Sequence, residues 1–234
     1  MEAIQSILPQ VDRLCVCLNG YTRVPPELGD LQKVETLIPD RDLKDAGKFA
    51  FPVAADDPVF TIDDGIRYPK DYVSGTVRVF DEIDPATNVL GHLGHALVPK
   101  AASGTKGWRN YPFGRRVAHR FKVDVLGTGT ACQLGALVPS LEEMRSSAGF
   151  VDLRHARLHH LRGRTLWVLP HEDGEFGNLM TDSLWESSLF RTVNRAGLPE
   201  MKAELLALYP VLSPFSGMKW EKVVRERAAG ARAG

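Results

Sequence analysis

No stretch of this 234-residue chain supplies the roughly 20 consecutive apolar side chains that a membrane-spanning helix needs. The opening Met1-Glu2-Ala3-Ile4-Gln5 lacks the basic and apolar regions of a secretory leader. Net charge is lacking too. The 29 basic residues balance 29 acidic ones, so no overall field draws the chain to nucleic acid, and none is expected as a partner. Cysteine is scarce: three residues exclude a disulfide framework, and Cys15-x-Cys17 has no second ligand pair at metal-site spacing. At i and i+2 of a strand, these two thiols are expected to face one side as small buried hydrophobes. A reducing cytoplasm fits that reading. Internal repeats and low-complexity linkers are absent.

What is present is ordinary for a soluble globular protein, at 44% hydrophobic and 25% charged residues. Two basic groupings stand out. One comprises Arg109, Arg115, Arg116, Arg120 and Lys122; the other is the tail of Lys219, Lys222, Arg225, Arg227 and Arg232. The tail reads as a solvated helix face, or as a surface for peripheral contact with anionic lipid on the inner face of a membrane.

Periodicity predicts a helix over residues 2–8 closed by Pro9, and strands over 13–18, 33–38 and 59–62. A short helix falls within 44–55, and another over 69–82 begins at Pro69, where a missing N–H costs nothing. Strands follow over 88–98, 119–126 and 165–169, with helices over 151–163 and 182–195. Residues 99–118 read as a long loop, and 199–230 as helices broken by Pro210 and Pro214. Strands alternating with helices predict an α/β layer structure with a mixed, mostly parallel sheet flanked by helices.

The most informative segment is Val59-Phe60-Thr61-Ile62-Asp63-Asp64-Gly65, followed by Ile66-Arg67-Tyr68-Pro69. Asp and Gly are ordinary turn residues. Carboxylates at a strand end also sit at the mouth of an open α/β sheet, where hard oxygen ligands suit Mg²⁺ or Mn²⁺ and a phosphate-bearing substrate. Lys48 is either a solvated lysine or a positive charge for phosphate. Gly127-Thr128-Gly129-Thr130 is either a tight loop or a place where substrate meets backbone; it lacks the Gly-Lys-Ser/Thr ending of a P-loop. Asp152 opens a helix, as a capping residue or as a general base. His155 and His159, one turn apart, read as a solvated or cleft-lining face. His171, among carboxylates after a strand, is a candidate third metal ligand or part of a polar turn.

Taken in order, SILPQVDRLCVCLNGY, AGKF, FTIDDGIRYPKDYV and VDVLGTGT resemble a group of bacterial glycosyltransferases related to family 2, over roughly residues 1–170. That resemblance implies a GT-A-like nucleotide-diphospho-sugar transferase fold over 1–198, with a helical appendage over 199–234. The domain would lack the family's first strand and nucleotide-cradling loop. The Asp cluster, at Asp63 and Asp64, would bind metal and a nucleotide sugar, UDP-linked above others, with Lys48 near the nucleotide and Asp152 as the base. Gly65 stands where relatives often carry a third Asp, and Leu-Arg-His follows Asp152 in place of a more apolar run. The implied activity is inverting transfer of a sugar to a saccharide or glycolipid acceptor in polysaccharide biosynthesis. Two rivals remain: a catalytically inactive sugar-nucleotide- or partner-binding relative, and a metal-dependent nucleotidyltransferase or phosphohydrolase.

Overall fold

The computed structural model describes residues 1–99, 106–182, 197–212 and 215–233. Beyond Asp182, the expected helix over 182–195 lies outside the described residues, as do Pro214 and residues 100–105 of the expected loop.

Helix α1 (Glu2–Ile7) tightens into a 3₁₀ turn at Leu8–Gln10, because Pro9 cannot donate a helical hydrogen bond. Strands β1 (Leu14–Cys17) and β2 (Val34–Leu37) pair in parallel, with the short α2 (Pro26–Gly29) between them. Cys15 and Cys17 are half-buried rather than buried, and burial pushes both thiols up. A 3₁₀ segment at Lys44–Phe49 precedes β3 (Pro58–Ile62) and β4 (Ile66–Arg67), which flank the Asp pair.

Helix α3 (Tyr72–Arg78) starts later than Pro69, and its first turn is held from outside the helix. Gln10 donates from Nε2 to the Pro69 carbonyl at 2.8 Å and accepts from the Val73 N–H at 3.1 Å. One amide thus satisfies a free helical donor that no local side chain caps.

The expected strand over 88–98 is two strands, β5 (Asn88–Gly91) and β6 (Gly94–Pro99), broken at His92-Leu93. β7 (Lys106–Tyr111) corrects part of the expected loop. Pairing with β6 along its whole length makes this polar stretch a strand, which its own pattern does not announce. Likewise the expected strand over 119–126 divides at Asp124 into β8 (Phe121–Val123) and β9 (Val125–Leu126). There follow β10 (Thr130–Leu134), α4 (Leu141–Arg145), α5 (Val151–Leu161), β11 (Thr165–Val168), β12 (Gly177–Asn178), α6 (Pro199–Leu208) and α7 (Trp220–Ala233). A capping box starts α4: Ser140 and Glu143 satisfy each other's backbone N–H groups.

The result is an α/β protein with mixed sheets. Its largest sheet has the order β3-β10-β5-β11-β8. Within it only β5 and β11 run parallel; β10 is antiparallel to β3 and β5, and β8 to β11. The expectation of a mostly parallel sheet fails here for a topological reason. Inserting β10 between β3 and β5, and setting β8 beside β11, makes three of its four strand pairs antiparallel. A second sheet, β7-β6-β9, is antiparallel throughout.

Asp124 fixes the switch of strand 121–126 between these sheets. It is fully buried, and its Oδ2 accepts from the Leu97 N–H at 2.7 Å. Oδ1 meets Lys122 Nζ at 3.1 Å and the Ser216 hydroxyl at 2.5 Å. A buried ion pair with this many hydrogen bonds specifies register rather than adding much net stability.

One core cluster packs Val89, Leu126 and Leu166 of the sheets against Ala156 of α5 and Leu208 of α6. Another surrounds Trp167 and includes Val223 of α7. The helical C-terminal segment therefore shares its apolar burial with the sheets. A third cluster, of Ile7, Leu14, Ile66, Tyr68, Tyr72 and Phe176, lies beneath the Asp pair. Among the described residues β1 pairs only with β2, and β3 only with β10. No helix among them is long and apolar enough to cross a membrane.

Candidate active site

The β3–β10 register brings two separate motifs together. Thr130 pairs with Ile62, so the next residue outward on each strand, Gly129 and Asp63, meet at the strand end. A Cβ on Gly129 would collide with the Asp63 carboxylate. Tyr68 locks the approach: its hydroxyl accepts from the Asp63 N–H at 2.8 Å and donates to the Gly129 carbonyl at 2.6 Å. The Tyr-Pro step after the Asp pair thus serves to seat a buried phenol under it.

Lys48 arrives from the other side. Ala46 and Phe49 are buried with Met144 and Val151, while Gly47 lies so close to β1 that a Cβ there would be 2.7 Å from Cys17 Sγ. That anchoring aims the lysine at the strand ends. Its Nζ lies 2.5 Å from Asp63 Oδ1 and donates to Thr128 Oγ1 at 3.2 Å. Burial opposes the ammonium charge, but Asp63, Asp152 and Asp45 outweigh it and hold the lysine above its ordinary pKa.

Thr128 closes the chain of contacts. Its N–H and hydroxyl both donate to Asp152 Oδ1, at 2.8 and 2.7 Å. Lys48, Asp63, Thr128 and Asp152 are therefore one hydrogen-bonded series, drawn from elements up to about a hundred residues apart. Asp152 Oδ2 makes no hydrogen bond among the described residues and stays available as an acceptor.

Asp64, beside Asp63, is exposed and has no partner among the described residues. At Gly65 a Cβ would stand 2.8 Å from Met180 Sδ, so a third carboxylate there would displace the end of that flexible side chain. Gly127 is present at the site but faces inward. Its N–H donates to the Leu93 carbonyl at 2.9 Å, its carbonyl accepts from Thr130, and its open face is filled by Leu93. It shapes the loop, and its backbone is already committed within the protein.

His171 does not join the Asp pair. It is buried, with Nδ1 3.0 Å from the Leu169 carbonyl and Nε2 3.2 Å from the Pro112 carbonyl, so both nitrogens face backbone carbonyls inside the protein. His155 and His159 are likewise interior, not cleft-lining. Their Nε2 atoms are 3.0 Å apart, and His155 Nε2 lies 3.1 Å from Gln133 Oε1. Burial first, then the charges of Lys48 and Arg164, lowers His155 to about 3.

Two contributors were not evident from sequence. Asp45 Oδ1 accepts from the Gly149 N–H at 2.5 Å, just ahead of α5, whose own N-cap residue Phe150 makes no side-chain cap. Burial pushes its carboxyl up, against the opposing pull of the Gly149 N–H and Lys48. Asn19 accepts from the Leu43 N–H and donates to the Lys44 carbonyl, both at 2.9 Å. It thereby holds Lys44 at a φ of 48°, a left-handed conformation uncommon for lysine. The Asn-Gly pair after β1 signals a turn; that its Asn clamps a loop 24 residues on has no local signature.

No protein-family model matches the chain, and no curated protein matches it at a significant level.

Among the described residues no three His, Cys, Asp or Glu are grouped to hold an ion. Asp64 and Asp63 Oδ2 are hard oxygen donors of the kind that Mg²⁺ or Mn²⁺ takes, two of the six ligands such an ion needs. They do not fit a cage made of protein side chains.

Proposed function

We propose that this chain is a GT-A-like glycosyltransferase that moves a sugar from a nucleotide-diphosphate donor, UDP-linked above others, to a hydroxyl of a saccharide or glycolipid acceptor. One observation carries the reading. The Ala-Gly-Lys-Phe, Asp-Asp-Gly and Gly-Thr-Gly-Thr motifs and Asp152, scattered in sequence, meet as a single series through Lys48, Asp63 and Thr128.

Asp64 and Asp63 would hold Mg²⁺ or Mn²⁺ against the donor diphosphate, supplying positive charge where the leaving group develops negative charge. Lys48 adds a fixed cation at the same place, preorganised by Asp63 and Thr128. Asp152 takes the proton of the acceptor hydroxyl on Oδ2 while Thr128 holds Oδ1 and fixes the carboxylate plane. An in-line attack on the face opposite the diphosphate inverts the anomeric centre. Cytoplasmic placement follows from a nucleotide-sugar donor.

A second reading, a sugar-nucleotide-binding relative without turnover, draws on the Lys48–Asp63 pair, which already neutralises one of the two carboxylates. Both readings are tested by incubating the protein with UDP-, GDP- and dTDP-sugars plus Mn²⁺, following thermal shift and nucleotide release. Stabilisation with slow nucleotide release supports the transferase. Stabilisation alone supports the binding relative, and no response to any nucleotide defeats both.

A further inference from the structure

The basic grouping noted in the sequence is taken apart by the fold. Arg120 pairs with Glu82 at 2.8 Å and lies over the Trp220 ring, and Lys122 is buried on Asp124. Arg116 pairs with Glu172 at 3.1 Å. Arg115 has no ion pair or hydrogen bond from its side chain among the described residues.

Arg115 stands at a cleft of about 600 Å³ with Asn110 and the Glu172-paired Arg116 at its edge and apolar walls formed by Tyr111, Pro112, Val117 and Phe121. The Tyr111 and Phe121 rings pack at 4.9 Å with an angle of 31°. Tyr111 is only 6% exposed, and its hydroxyl lies beside the Arg109 guanidinium. The cleft thus offers an aromatic floor and an uncommitted guanidinium. Pyranose rings present C–H faces to aromatic rings, and a guanidinium matches a carboxylate or phosphate bidentately.

The same loop is tied to the candidate active site. The Pro112 carbonyl meets His171 Nε2, and Val117 exchanges backbone hydrogen bonds with His171. The His171 ring is 5.7 Å from Phe176, which lies 6.3 Å from Tyr68, the residue under Asp63. One layer of rings joins the cleft wall to the Asp63 strand end.

We infer that this cleft binds an anionic saccharide, with its carboxylate or phosphate on Arg115 and its ring on the Tyr111–Phe121 floor. Naming that ligand as the acceptor rests on the transferase reading; the binding itself does not.

The test measures calorimetric binding of a hexuronate oligosaccharide, a sugar-phosphate and a neutral oligosaccharide of equal length to the intact protein. The two anions distinguish carboxylate from phosphate as the recognised group. Binding of at least one anion, lost about 10-fold or more in Arg115→Ala and partly kept in Arg115→Lys, supports the site. Equal binding of the neutral sugar, or no effect of Arg115→Ala, overturns it. The UDP-sugar thermal shift serves as the control and must survive in both variants; its loss would place the effect outside the cleft and also overturn the assignment. A wild-type protein that binds the anion but never responds to nucleotide sugars would keep the cleft and defeat the transferase reading.

Discussion

Gly129 and Asp63 meet at the end of the β3–β10 ladder with no space for a Cβ between them. Glycine is therefore required at 129 by close approach and not by an unusual φ. Gly129→Ala is expected to displace the Asp63 carboxylate from Lys48 and to cost about 1–3 kcal/mol by overpacking. Urea unfolding measures it. Gly75→Ala, in α3 with nothing within 4 Å of the added methyl, is the control and is expected to be neutral or stabilising.

Asp152→Asn keeps an oxygen for the two Thr128 donors but removes the proton acceptor. Nucleotide release in the presence of acceptor should fall about 10²- to 10⁴-fold, while the donor-induced thermal shift is retained. Equal loss of both would mean that Asp152 only shapes the loop.

Asp45→Ala removes the carboxylate that stands in for a missing cap ahead of α5. A loss of about 1–2 kcal/mol is expected in urea unfolding, with Asp45→Asn recovering part of it. The site should loosen too, because α5 carries Asp152.

Stability should fall on acidification. His92 and His155 are each lowered from 6.5 to about 3, burial being the main cause in both. Below the unfolded value near 6.5 the unfolded chain takes up protons that the folded one refuses. The contribution of these imidazoles is therefore full above that value and is lost as pH falls toward about 3. Unfolding midpoints between about pH 7 and about pH 4 should give a slope to which each contributes about one proton. His155→Gln should reduce that slope by about one proton; an unchanged slope would contradict the burial.

Much of the element order was legible in sequence. Pro9 ends α1, the β-rich run 58–62 is a strand, and 151–161 is a helix, because each is decided by local periodicity or a missing N–H. Sheet direction was not legible, since β10 is turned by its neighbours and not by its own pattern. The site divided in the same way. Lys48, Asp63, Thr128 and Asp152 were marked by motif and do converge, whereas Asp45, Asn19 and Tyr68 act through contacts that only the fold creates. His171 parts from the Asp pair because neighbouring carboxylates in sequence say nothing about which way a ring turns; here it turns inward onto two carbonyls.

The central claim is that Asp63 and Asp64 anchor a metal-bound diphosphate. It is tested most directly by thermal shift of the protein with a UDP-sugar, with and without Mn²⁺, in wild type and in Asp63→Asn with Asp64→Asn. The account predicts stabilisation that needs both metal and nucleotide in the wild type and disappears in the double variant. Metal-dependent stabilisation that survives in the double variant would contradict it.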